Sequence, residues 1–201
     1  HVAVTELETQ LAPTLQASFL TLDLDDVRDQ LESMPWVYRA GVRSRWPNTV
    51  VIEIEEQRPI ARWGLDGFLN HEGEYFPGAF DDRWSDLARL EGPEGSEGSM
   101  TRRYQSLEAS LESTGQQAVA LHEDSLGQVS AELHNGALLQ LGAEKHRERI
   151  GRFVTLWREQ LADQPVMRID MRYEHGAAVA LLPTSQWASG DFPLANWQET
   201  P

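Results

Sequence analysis

Residues able to do chemistry are present, but their spacing is that of no catalytic set. His71-Glu72 and His122-Glu123 each begin like the His-Glu-x-x-His turn of a zinc hydrolase, which needs a second imidazole one helical turn further on. Tyr75 and Leu126 stand there instead. Solvated surface imidazoles are the default reading of the six scattered histidines. Gly92-Pro93-Glu94-Gly95-Ser96-Glu97-Gly98 has the glycines of a phosphate loop, yet it carries two carboxylates and no lysine and would repel phosphate. Nucleophile-elbow, Walker and dinucleotide fingerprints are missing, and no Ser/His/Asp order suggests itself. With no cysteine, thiolate catalysis, cysteine-ligated metals and disulfides are excluded, and the composition suits an oxidising compartment. The expectation is therefore a chain without catalytic residues, cofactor or metal, acting through edges and surfaces.

Composition narrows the surfaces. The chain has 201 residues, enough for one large domain or two small ones at about 100–200 residues each. Lys+Arg is 17 against Asp+Glu 32, a net charge of −15, which opposes nucleic-acid binding. The hydrophobic fraction of 40% is that of a globular protein. No run approaches the ~18 apolar residues of a membrane span, and the N-terminus does not read as a signal peptide, so any anchor would lie upstream of His1.

The elements that would carry such surfaces follow from periodicity. Residues 4–12 predict a short helix capped by Thr5 and ended by Pro13. Leu22, Leu24, Val27, Leu31 and Met34 recur at helical spacing behind Asp23 and Asp25, and Pro35 stops that helix. The period then becomes two: Ala40, Val42, Ser44 and Trp46, then Val50, Ile52 and Ile54. A two-residue loop would set apolar positions against charged ones. A three-residue loop, Pro47-Asn48-Thr49, pairs Trp46 with Val50, Ser44 with Ile52 and Val42 with Ile54, and sets Arg43 opposite Glu53 on the exposed face. Trp46 and Val50 are then expected to be buried. Pro59 reads as a boundary.

Beyond it come short strands over Trp63–Phe76, a turn cluster Leu90-Glu91-Gly92-Pro93-Glu94-Gly95, and a helix over 101–112 with Tyr104, Leu107 and Leu111 on one face. A strand begins at Val119 and Leu121, and Val129, Ala131 and Leu133 alternate with Ser130 and Glu132. Asn135-Gly136 signals a two-residue hairpin turn into Ala137–Leu141. Residues 144–161 form the clearest helix, with Ile150, Phe153, Val154, Trp157 and Leu161 as one core stripe. Met167, Ile169, Met171 and Tyr173 alternate with Arg168, Asp170 and Arg172, and after Gly176 comes a last strand, Ala177–Leu182. Residues 183–201 read as a polar, flexible tail with Trp187, Phe192 and Trp197 spaced along it, the alternative being a short aromatic docking motif.

Phe19–Trp63 resembles the POTRA domain of the FtsQ/DivIB family of bacterial cell-division proteins. The resemblance rests on Pro35-Trp36-Val37, on Val42 to Pro47, on the alternating Ile/Glu run, and on Glu56 to Trp63. Leu90 to Gly95, Met167 to Tyr173 and Gly176 to Ala180 are similar to the family's second, β-rich domain, so the resemblance spans residues 15–183. It implies an α+β fold: a POTRA domain of two helices on a small sheet (1–59, its opening strand missing), a β-domain with two helices (60–182), and the tail. It also implies a non-enzymatic divisome scaffold in the periplasm, part of a single-pass inner-membrane protein at the septum. The implied partners are FtsB and FtsL, other divisome members and, indirectly, the septal peptidoglycan synthases. A POTRA-type chaperone for polypeptide export or outer-membrane protein assembly is the alternative, and a cell-wall-turnover enzyme a third reading.

The last strand is where a partner would dock. It carries small apolar residues on both faces and no Lys or Pro before Pro183, whereas free edges are normally protected by such devices. A central strand buried on both faces would have the same sequence. As an edge, it suits strand addition. The candidate partner-binding residues are Arg172, Tyr173, His175, Ala177, Ala178, Val179, Ala180, Leu181 and Leu182, with Tyr173 packing on apolar partner side chains and Arg172 pairing with a partner carboxylate. These positions match the family's terminal-hairpin surface, although Leu181 stands where some relatives carry Trp.

Overall fold

Asp23 accepts hydrogen bonds from the N–H groups of Asp25 and Asp26, which starts helix α1, Leu24–Glu32. The computed structural model of the chain describes residues 23–47 and 49–183. The expected helix over 4–12, Leu22 at the head of the second helix and the tail from 184 onward lie outside the described residues. Helix α1 buries Val27 and Leu31 against a hairpin of β1, Val37–Arg45, and β2, Thr49–Glu56. Met34, Val37 and Ala40 complete this small core, and Val42, Ile52 and Ile54 pack on it.

The hairpin keeps the expected faces but not the expected register. Arg45 pairs with Thr49, Ser44 with Val50, Val42 with Ile52 and Ala40 with Ile54. Three residues separate Arg45 from Thr49, as parity requires, but the ladder closes one residue earlier than expected on the first strand and takes in Thr49 on the second. Thr49, β-branched, extends the ladder, while Pro47, lacking an N–H, sits at the centre of the loop. Trp46 therefore lies beyond the sheet and is 88% exposed, which overturns its expected burial. Arg43 lies opposite Val51, and its ion pair with Glu53, 2.7 Å, runs diagonally across the exposed face. Trp46→Ala is expected to change stability by no more than about 0.5 kcal/mol and Arg43→Ala by about 0–1 kcal/mol, measured by urea unfolding.

Nine further strands form a second sheet: β3 (Pro59–Trp63), β4 (Gly67–Asn70), β5 (Tyr75–Pro77), β6 (Ala88–Glu91), β7 (Ala118–Glu123), β8 (Val129–Leu133), β9 (Leu138–Gly142), β10 (Val166–Asp170) and β11 (Ala178–Leu181). Their order is β11-β10-β9-β8-β7-β6-β3-β4-β5. The pairs β3–β6, β6–β7 and β9–β10 are parallel and the others antiparallel. Helices α2 (Glu97–Leu111) and α3 (His146–Leu156, continued by a π-helical turn to Leu161) supply Leu107, Leu111, Ile150, Phe153, Trp157 and Leu161 to one core with Leu90, Leu121, Ala131, Leu139 and Ile169. The other face is largely polar. One row across it, set by the pairing, reads Arg62, Arg89, Ala120, Glu132, Leu138, Arg168 and Ala180.

Several expectations change here. Strand β6 stands where only the start of a turn cluster was read. The β8–β9 turn spans His134-Asn135-Gly136, with Leu133 N–H bonded to Ala137 O, because Gly136 at φ 83° makes a three-residue loop. Strand β10 ends at Asp170, and a bulge between Val166 and Arg168 throws Met167 out: Val166, Ile169 and Met171 are buried, while Met167 is 39% exposed.

Aromatic rings join the hairpin to the far end of the large sheet. Trp36, in the turn before β1, stacks on Trp84 at 5.6 Å and meets Phe76 edge-on at 5.3 Å and Phe68 at 5.6 Å. Gln57 N–H donates to Trp36 O at 2.9 Å, and Asn70 Nδ2 donates to Gln57 Oε1 at 3.2 Å. A Cβ at Gly78 would lie 2.8 Å from the Phe68 ring and 3.1 Å from Trp36, so glycine there permits the packing.

Candidate functional site

Strand β11 has a neighbour on one side only among the described residues. Which of its backbone groups face outward follows from two bonds. Met171 N–H donates to Gln140 O of β9 at 2.9 Å, so the odd positions of β10 face β9 and Arg168 and Asp170 face β11. Their partners Ala180 and Ala178 turn their N–H and C=O inward, and Leu182 N–H continues the pattern by donating to Pro165 O at 2.7 Å. Val179 and Leu181 therefore present their N–H and C=O away from the sheet.

The opposite edge differs. Strand β5 has three residues and ends in Pro77, and the Tyr75 ring lies over Gly67, where a Cβ would come within 2.0 Å of it. Short length and proline both blunt an edge. Strand β11, four residues long, carries no proline or lysine within Ala178–Leu181.

The nine candidate residues are distributed as follows. Arg172, Tyr173, His175, Ala178, Val179 and Leu181 are exposed, and Ala177 and Ala180 are half-buried. Leu182 is buried and its N–H is engaged, so it closes the fold rather than offering a docking surface. Arg172 is not free for a partner. Its Nε and Nη2 reach the Asp170 carboxylate at 2.9 and 2.7 Å. Met167 is an addition: with Tyr173, Val179 and Leu181 it puts four exposed apolar side chains on this last hairpin. Its sequence signal is the adjacent apolar pair Val166-Met167, which leaves the register of β10 open at that end.

The Arg172 guanidinium, by hydrogen bonding to Asp170, holds that carboxyl below its ordinary range. A carboxyl depressed in the folded state stabilises it above the unfolded value, about 4, and that contribution is lost as pH falls through the folded value. Urea unfolding of wild type should therefore lose more stability below about pH 4 than Asp170→Asn does. Equal acid sensitivity of the two proteins would show the pair to be energetically silent.

Elsewhere, His71 lies 3.9 Å from Glu72, and His122 lies 3.6 Å from Glu91 on the polar sheet face. Among the described residues no three His, Asp or Glu side chains converge as a metal site, and no helix is long and apolar enough to cross a membrane. Cavities of about 350 and 770 Å³ lie between α2 and α3 and beside the β8–β9 turn.

A helix-on-hairpin module followed by a nine-stranded sheet with helices on one face is a mixed α+β protein of two sheets, with one sheet edge left open. Residues 1–57 match the FtsQ-type POTRA domain, and residues 61–172 match the C-terminal domain of the cell division protein FtsQ/DivIB. The chain belongs to the FtsQ/DivIB family of cell division proteins. It is similar to cell division protein FtsQ of Allochromatium vinosum, 34% identical over 92% of this chain and 75% of that one. It is also similar to FtsQ of Cellvibrio japonicus, 36% identical over 89% of this chain but 56% of the relative. For Shewanella oneidensis FtsQ the figures are 34%, 87% and 67%. The chain thus spans between about half and three quarters of these relatives' length. The second domain match ends at residue 172, just past β10 and before β11.

Proposed function

We propose that this chain is a non-enzymatic divisome scaffold that binds the FtsB–FtsL pair by adding a partner strand to β11. Through that contact it helps recruit and regulate septal peptidoglycan synthesis. In this reading it is the periplasmic part of an inner-membrane protein at the septum, its anchor lies outside this chain, and a POTRA module and a β-module divide near Pro59. The observation that supports the docking site is the outward main-chain polarity of Val179 and Leu181 on an edge without proline or lysine. The site residues are then Tyr173, Ala177, Ala178, Val179, Ala180 and Leu181, with His175 and Arg172 beside them and Met167 added.

Amide exchange with and without purified FtsB–FtsL tests this. New protection should concentrate at 178–181. Protection confined to 23–56 would move docking to the α1–hairpin module. Capture of outer-membrane barrel subunits in place of FtsB–FtsL would favour the chaperone reading.

A further inference from the structure

The loop 171–177 between β10 and β11 has only one glycine and lies outside both strands, yet the carbonyls of 171, 172, 173, 174 and 176 are engaged by helix α3. Arg152 Nη1 donates to Glu174 O at 2.7 Å and to Gly176 O at 3.4 Å, and its Nη2 donates to Tyr173 O at 3.0 Å and Met171 O at 3.2 Å. Arg149 Nη2 adds Arg172 O at 3.4 Å, while its Nη1 holds Leu141 O at the end of β9. Lys145 Nζ lies 3.8 Å from the Glu174 carboxylate. Arg149 and Arg152, three apart, share one face of α3, with Lys145 at its N-cap, while Ile150, Phe153 and Trp157 pack into the core. Space for the arginines is left at Gly142, where a Cβ would sit 2.5 Å from Arg149 Nη1 and 3.0 Å from Arg172 Cγ.

We infer that Arg152, assisted by Arg149, is a positioning residue for partner docking: it fixes the β10–β11 loop from behind, so that β11 and Tyr173 are presented as a rigid template. The inference rests on the reading that β11 receives the partner strand. Five of the loop's carbonyls face α3, while the side chains of Tyr173 and His175 are exposed. A guanidinium is suited to this task because its planar fork offers five donors in fixed directions, which an ammonium does not. A template ordered beforehand binds more tightly than one that must be ordered on contact.

The test compares wild type, Arg152→Ala, Arg152→Lys, Arg149→Lys and Val179→Pro. Amide exchange is followed at 171–177 and in β7–β9, and FtsB–FtsL affinity is measured well below each variant's melting temperature. Arg152→Ala should speed exchange at 171–177 by roughly tenfold or more while leaving β7–β9 protected, and weaken binding about tenfold or more. Arg152→Lys should resemble Arg152→Ala rather than wild type, because the fork and not the charge does the holding. If Arg152→Ala unfolds globally, Arg149→Lys carries the same prediction with a smaller effect. A loosened loop with wild-type affinity overturns the positioning role while leaving β11 as the docking edge. Unchanged exchange at 171–177 overturns it at its first step. If Val179→Pro binds like wild type, the docking reading itself falls and takes the positioning role with it.

Discussion

Val179→Pro is expected to weaken FtsB–FtsL binding by at least about 100-fold, some 2.7 kcal/mol, while the melting temperature moves by no more than about 2 °C. The reasoning is geometric. Val179 turns its N–H away from β10, so proline there removes no bond of the existing ladder. A strand docking on that side would lie about 4.8 Å away, where the pyrrolidine ring now projects and the donor is gone. The neighbouring substitution supplies the control. Ala180 faces inward opposite Arg168, so Ala180→Pro should break the ladder and unfold the hairpin, lowering stability and binding together. Calorimetric titration and thermal unfolding read both. A folded Val179→Pro protein with unchanged affinity removes β11 as the docking edge.

The largest stability effect should come from Phe68→Ala, about 3–5 kcal/mol, or roughly 10 °C in melting temperature. Phe68 is fully buried, and its ring lies 5.5 Å from Phe76, 5.1 Å from Phe80, 5.5 Å from Trp84 and 5.6 Å from Trp36. Truncation would open a cavity under four rings at once, and Trp36 belongs to the turn that introduces the first hairpin. The emission of Trp36 and Trp84 should shift to the red in the folded variant. A loss below about 1 kcal/mol would mean that the rings collapse into the gap without cost.

The two clearest helices were legible from local signals, whereas the Asn135-Gly136 turn was read one residue too short. Asp23 with Val27 and Leu31 marks α1, and Ile150, Phe153, Trp157 and Leu161 mark the long helix, since each of these depends only on chain neighbours. In the first hairpin, parity settled which residues share a face but not how far the strands run. That depended on whether Trp46 or Thr49 joined the ladder, and it exposed Trp46. Strand β6 was missed because its partners are distant: Ala88 pairs with Ala61, and Arg89 with Ala120, both in parallel, and parallel pairing leaves no local turn to read. At the proposed docking edge, the run Ala178–Leu181, without Lys or Pro, was visible in the residue types. The outward face of Val179, the bulge at Met167 and the capture of Arg172 by Asp170 depend on β9 and β10. Arg149 and Arg152 look like an ordinary solvated helix face until the loop folds over them.

The unequal edges of the large sheet also limit how copies of this chain can associate. Runaway polymerisation through strands requires a receptive edge at each end, so that every added copy exposes a new acceptor. In the large sheet one end finishes in the three-residue strand with Pro77, and among the described residues the other end, β11, carries neither proline nor lysine. Two copies meeting through β11 would form a two-fold, self-terminating pair, and a charge of −15 on each opposes even that. A foreign strand added to β11, as proposed above, would close the same edge, so partner binding and self-pairing there would exclude each other.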